Sequence, residues 1–181
     1  MKSLFLAVAL LIAAPSFAQI ESASLKADGL TCSMCSKAIY KSLMKVPFVQ
    51  KIDVDIEHSV YNISFKPGAP VSPDRLAKAV TDAGFSVGKL AITARFNGIP
   101  VEKDTHLPFD GAVYHFLNVP KQTLSGEKTF TLVDKAFMPS GERKKYRAYT
   151  AMDCFETGVM QACCAKTAGV AAGTRVYHVA L

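Results

Sequence analysis

Gly29-Leu30-Thr31-Cys32-Ser33-Met34-Cys35-Ser36 is the stretch that decides how the rest of the chain is read. Upstream, Ala23, Leu25 and Ala27 alternate with Ser22, Ser24 and Lys26, the pattern of a half-buried strand. Downstream, Ile39, Leu43 and Val46 recur at the spacing of one helical face. Gly29 breaks the strand just before the cysteines. Cys32 and Cys35 therefore fall where a loop enters a helix. Unpaired backbone N–H groups and the helix dipole favour thiolate over thiol there, and thiolate is the form that binds metal.

Working outward, the helix expected over Met34–Lys45 stops at Pro47. Ile52, Val54 and Ile56 alternate with acids, and Tyr61, Ile63 and Phe65 alternate with polar residues beyond His58-Ser59. That is a hairpin. Lys66 to Pro70 is a loop, and Ser72 before Pro73 marks a helix start. Leu76, Ala77, Val80 and Ala83 give this second helix a narrow apolar face; Gly84 ends it, and Phe85 to Ile92 supplies a last strand. The order is β-α-β-β-α-β.

These residues resemble the heavy-metal-associated domain of copper chaperones, metal-pumping ATPases and periplasmic mercury-binding proteins. The family signature, Gly-Met-(Thr/Ser)-Cys-x-x-Cys, is matched by Gly29, Thr31, Cys32 and Cys35, with Leu30 in place of Met. The resemblance runs from about Ala23 to Leu90. It implies a ferredoxin-like fold with Cys32 and Cys35 as the metal ligands. Phe48 stands where the family usually has Gly in the turn after the first helix, and Leu30 removes a thioether while keeping apolar bulk.

Three readings of Cys32 and Cys35 compete: a thiolate metal site, a redox-active dithiol and a structural disulfide. Two thiolates suit a soft, two-coordinate ion, whereas Zn(II) normally takes four ligands. Cu(I) is the first expectation, with Hg(II), Ag(I) and Zn(II) behind it. The implied partner is a metal-transfer protein with thiolates of its own, such as a metal-transporting ATPase or a resistance protein. A secreted thiol-disulfide oxidoreductase and a non-catalytic interaction protein are the alternatives from other classes. Gly-x-Ser-x-Gly, His-Glu-x-x-His and phosphate-binding glycine loops do not occur in the sequence, so no enzyme is expected.

The 181 residues are half hydrophobic, with a net charge of +6 and five cysteines. Lys2, the apolar run Leu4 to Ala14 and the small residues of Ser16-Phe17-Ala18 read as a signal peptide, 1–18, cut after Ala18. Export to the periplasm, or secretion, follows, and nucleic acid is an unfitting partner there. No later stretch is long and apolar enough to span a bilayer.

The division expected is a heavy-metal-associated domain at 20–91 and a β-rich domain at 92–181, a small barrel or sandwich, giving an α+β chain. Strands are expected within 92–96, 112–119, 129–133 and 175–181, and a helix over 143–151. Cys154, Cys163 and Cys164, with Met152 and Met160 beside them, are a second sulfur cluster. A disulfide from Cys154 to one of the adjacent pair is the favoured reading, an auxiliary metal site the other. His58, His106, His115 and His178 show no ligand spacing, and His178 reads as a structural histidine. Lys37, Lys41 and Lys45 make a basic stripe on the first helix, read as solvated or as a docking face, and Arg143 to Arg147 as a solvated helix face.

Overall fold

The computed structural model describes residues 18–30 and 33–181, apart from the side chains of residues 33, 163, 166 and 167. The expected leader therefore lies outside the described residues, except for Ala18. Strand β1 (Ala18–Asp28) leads to helix α1 (Ser33–Leu43), and β2 (Val49–Asp55) and β3 (Val60–Phe65) form the hairpin. Helix α2 (Pro73–Asp82) follows, with Ser72 at the N-cap position in extended conformation and Pro73 as first helical residue. The β-α-β-β-α-β order closes with β4 (Ser86–Val101).

Alternation along β1 sends Ala23, Leu25 and Ala27 into the core and leaves Ser24 and Lys26 in water. Ile39 and Leu43 of α1 and Leu76 and Val80 of α2 are fully buried in the same core. The opposite face of this half of the sheet is polar. There Arg95 bridges Glu21 and Glu127 at 2.6 and 2.7 Å, and the Thr93 and Thr129 hydroxyls meet at 2.7 Å.

The second half continues the same sheet. Strands β5 (Thr105–Phe109), β6 (Ala112–Phe116), β7 (Gln122–Leu132) and β8 (Val176–Ala180) join the first four as one eight-stranded sheet, ordered β2-β3-β1-β4-β7-β8-β6-β5. The second half is not the separate barrel or sandwich expected from its sequence: β7 pairs with β4 from Leu90↔Leu132 to Val101↔Gln122. The cause is the length of β4, sixteen residues, whose free edge offers β7 a full ladder. The boundary expected between 91 and 92 falls in the middle of this strand.

Helices α3 (Ser140–Tyr146), α4 (Cys154–Thr157) and α5 (Ala162–Ala168) accompany the second half, with a 3-10 turn at Arg147–Tyr149. Leu117, Val133, Met138 and Phe155 form one apolar cluster there, and Val113, Met160 and Val176 another. Strands β6 and β8 are consequently buried on both faces: Tyr114, Phe116, Tyr177 and Val179 enter the main core, and the residues between them face the other way. Arg143 is not part of a solvated face. It is buried, lies 4.1 Å over the Phe155 ring, and donates to the Phe155 carbonyl and Glu156.

Polar contacts tie the halves together. Arg175 donates to both Asp74 oxygens at 2.8 and 3.0 Å, and the Tyr177 hydroxyl donates to Asp74 at 3.0 Å. The Val71 N–H donates to Asp110 at 2.9 Å.

Candidate metal centre

Gly29 takes a φ of +85°, a conformation L side chains rarely adopt, and so turns the chain sharply out of β1. Leu30 is partly buried against the core, filling the apolar space expected of it. Thr31 and Cys32 lie outside the described residues. Cys35 sits in the first turn of α1, partly buried. Met34 beside it is 71% exposed, an apolar contact for anything that approaches.

Ser36 is buried directly behind Cys35. Its hydroxyl lies 3.0 Å from the Tyr61 hydroxyl, which also donates to the Ser36 carbonyl at 3.3 Å. Burial pushes the Tyr61 phenol up, keeping it neutral, and the nearby Cys35 adds to that shift. Phe85 packs against the core, and a Cβ added at Gly29 would stand 3.9 Å from its ring. Phe85 thus backs the Gly29 turn as a core-edge residue. Phe48 is buried and meets Phe65 edge-on at 5.6 Å between ring centres, so this half has an aromatic plug where a glycine was usual.

Lys37, Lys41 and Lys45 are all exposed. Lys41 and Lys45 share the groove between α1 and α2 with Arg75 and Lys78. Asp82 lines the same groove and pairs with Lys78 at 2.7 Å, so the positive charge of the groove is only partly uncompensated.

The histidines divide. His58 is exposed and bonded to Asp55 at 2.9 Å. The others converge, because His106↔His115 and His115↔His178 are register partners across β5, β6 and β8. Cys154 on α4 comes to the same place, fully buried. Sequence spacing could not reveal this row, since its members come from three separate strands and a helix. Burial pushes the His115 imidazolium down to about 2, with His106 and His178 adding to the shift, and burial also lowers His106. Cys164 Sγ lies 3.9 Å from Met152 Sδ.

Over residues 24–86 the sequence matches the profile of the heavy-metal-associated domain. A mercuric transport protein periplasmic component from Alcaligenes is 40% identical over 86 residues, 47% of this chain and 93% of that protein. The chain belongs to the heavy-metal-associated domain family. The corresponding Shigella flexneri protein is 37% identical over the same shares, and a probable cation-transporting ATPase of Haemophilus influenzae is 28% identical over 13% of its length. The crystal structure of oxidized MerP from Ralstonia metallidurans CH34 is 35% identical, with a TM-score of 0.34 over 38% of this chain and 97% of that one. The profile and the curated mercuric relatives match the first half of the chain. No helix among the described residues is long and apolar enough to cross a membrane.

Proposed function

We propose that this chain is an exported carrier that holds a thiophilic ion between Cys32 and Cys35 and passes it on by thiolate exchange. Soft-metal binding and transfer is what the heavy-metal-associated relatives indicate. The observation that carries the assignment to this pair is the placement of Cys35 on the first turn of α1, after the Gly29 turn. Unpaired N–H groups there stabilise a thiolate, and two thiolates satisfy an ion that prefers linear coordination. In transfer, an incoming thiolate bonds to the ion, a three-coordinate species forms, and the bond to Cys32 or Cys35 breaks. No electrons change hands, so no oxidant or reductant is needed.

Two ions fit. The names of the curated relatives favour Hg(II). Cu(I) remains the expectation from the motif itself, being thiophilic and content with two ligands. Export to the periplasm accords with the same relatives and with the apolar leader, and N-terminal sequencing of periplasmic protein should begin at Gln19.

The test is anaerobic titration of the reduced full chain with Cu(I), and separately Hg(II), against a competing thiol. One tightly held equivalent is expected, lost in the Cys32→Ser/Cys35→Ser chain because hydroxyls are poor ligands for soft ions. The ion recovered on protein isolated from cells, rather than the stronger competitor in the titration, names the cargo. Unchanged stoichiometry and affinity in the double variant would refute the site.

A further inference from the structure

We propose that His106, His115 and Cys154 form a second transition-metal site, separate from the Cys32/Cys35 pair, with a donor set that takes Zn(II) or copper. Cys154 Sγ lies 3.7 Å from His115 Nδ1 and 3.8 Å from His106 Nε2. The three donor atoms all lie within 4.8 Å of one another. An ion about 2.3 Å from sulfur and about 2.0–2.1 Å from nitrogen, at angles of about 110–120°, sets sulfur and nitrogen about 3.5–3.8 Å apart. The two sulfur–nitrogen distances are those of ligands around one ion. The His106 and His115 rings stack at 4.0 Å and 15°, so on binding they would rotate about Cβ–Cγ to aim both lone pairs at it.

Hydrogen bonding fixes which nitrogens are available. His106 Nδ1 is 3.1 Å from the Asp104 carbonyl, which can only accept, so that nitrogen carries the proton. His115 Nε2 is 2.9 Å from the Asp104 carboxylate and carries its proton for the same reason. His106 Nε2 and His115 Nδ1 therefore turn lone pairs toward the sulfur. A thiol has one proton and can serve one of them. Without a cation the other nitrogen faces sulfur with no proton to accept, an arrangement burial makes costly. One ion satisfies both nitrogens and the sulfur together, releasing the thiol proton to water.

Outer contacts are those that hold metal-binding imidazoles in place, a carboxylate or carbonyl on the nitrogen that does not bind. Asp104 supplies both, from a left-handed backbone position (φ 62°) anchored by its own N–H to the Phe116 carbonyl at 2.8 Å. The adjacent His178 is oriented likewise, its Nδ1 2.7 Å from Asp134, and its buried Nε2 has no hydrogen-bond partner among the described residues. A cleft lined by Glu102, Lys103, Asp104 and Thr105 reaches His106, the partly exposed member, and gives an ion its way in. Thiolate and imidazole together narrow the choice to Zn(II) and copper.

The test uses the Cys32→Ser/Cys35→Ser full chain, so it stands or falls apart from the carrier reading. Reduced, anaerobic protein is titrated with Co(II), and then with Zn(II) in competition. One equivalent of Co(II), a thiolate-to-metal charge-transfer band, displacement by Zn(II) and a raised melting temperature are expected. Adding Cys154→Ser should remove the band. Adding His106→Gln, at the partly exposed ligand, should weaken binding by more than the about 10–100-fold typical of an outer contact. Far-UV circular dichroism identifies folded variants, and either variant alone suffices. No charge-transfer band in the folded parent, binding unchanged in both variants, or Cys154 recovered from exported protein in a disulfide with Cys163 or Cys164 overturns the assignment.

Discussion

The Tyr61 hydroxyl reaches across from β3 to within 3.0 Å of the Ser36 hydroxyl, one residue beyond Cys35. The contact spans two elements and is buried at both ends. It fixes the first turn of α1 to the sheet, and with it the backbone that carries Cys35.

Tyr61→Phe leaves the Ser36 hydroxyl without its buried partner. A loss of about 1–2 kcal/mol is expected in urea unfolding. Alkylation of Cys35 should quicken as the turn loosens. Wild-type stability and labelling together would show that the contact anchors nothing.

Phe48→Ala tests whether the aromatic at the family's glycine position is structural. Phe48 is buried against Phe65, so truncation should cost about 3–5 kcal/mol, read from the urea midpoint. Leu30→Met, which restores the family residue at similar volume, should cost less than about 1.5 kcal/mol. Equal effects at the two sites would contradict their different burial.

Asp74→Ala removes the acceptor shared by Arg175 and Tyr177, the polar joint between α2 and β8. Charge-assisted pairs with good geometry are worth about 1–3 kcal/mol, and the Asp74 side chain is 44% exposed, which points to the lower end. A lowered thermal midpoint is expected. With Arg175→Gln in the background, Asp74→Ala should cost less, a coupling read from the double-mutant cycle.

Asp110 gives a pH-dependent case. Burial raises its carboxyl above the usual value, offset in part by the Val71 N–H. A carboxyl raised on folding favours the folded state while protonated, and that contribution disappears as pH climbs through the folded value. Asp110→Asn keeps an oxygen for the Val71 N–H and tolerates the positive φ of 49°. At pH 7 the variant should therefore be at least as stable as the wild type, with the difference shrinking below about pH 4. A deficit at pH 7 that persists in acid would overturn the reading.

The first half was legible because its information is local. Alternation in β1, the helical spacing of Ile39 and Leu43, and Ser72-Pro73 each specify one element within a few residues. The second half hides its organisation in pairing. Thr105–Phe109 contains Pro108 and shows weak alternation, so its sequence does not announce β5. The near-continuous apolar run of β6 reflects burial on both faces rather than one. The Cys35 placement followed from the strand-to-helix junction. The histidine row did not, because its register passes through a parallel pairing of β6 with β8, brought together across sixty residues of chain.

The long shared strand also bears on how the molecule behaves in a crowded solution. Were the chain to stop near residue 91, β4 would present a bare row of N–H and C=O groups on which another copy could build. With β7 laid along it, the outermost strands become β2, seven residues carrying Lys51 and Asp53, and β5, five residues interrupted by Pro108. Short, charged or proline-broken margins discourage strand-by-strand growth into fibrils. The second half thus shields the first against strand-by-strand association.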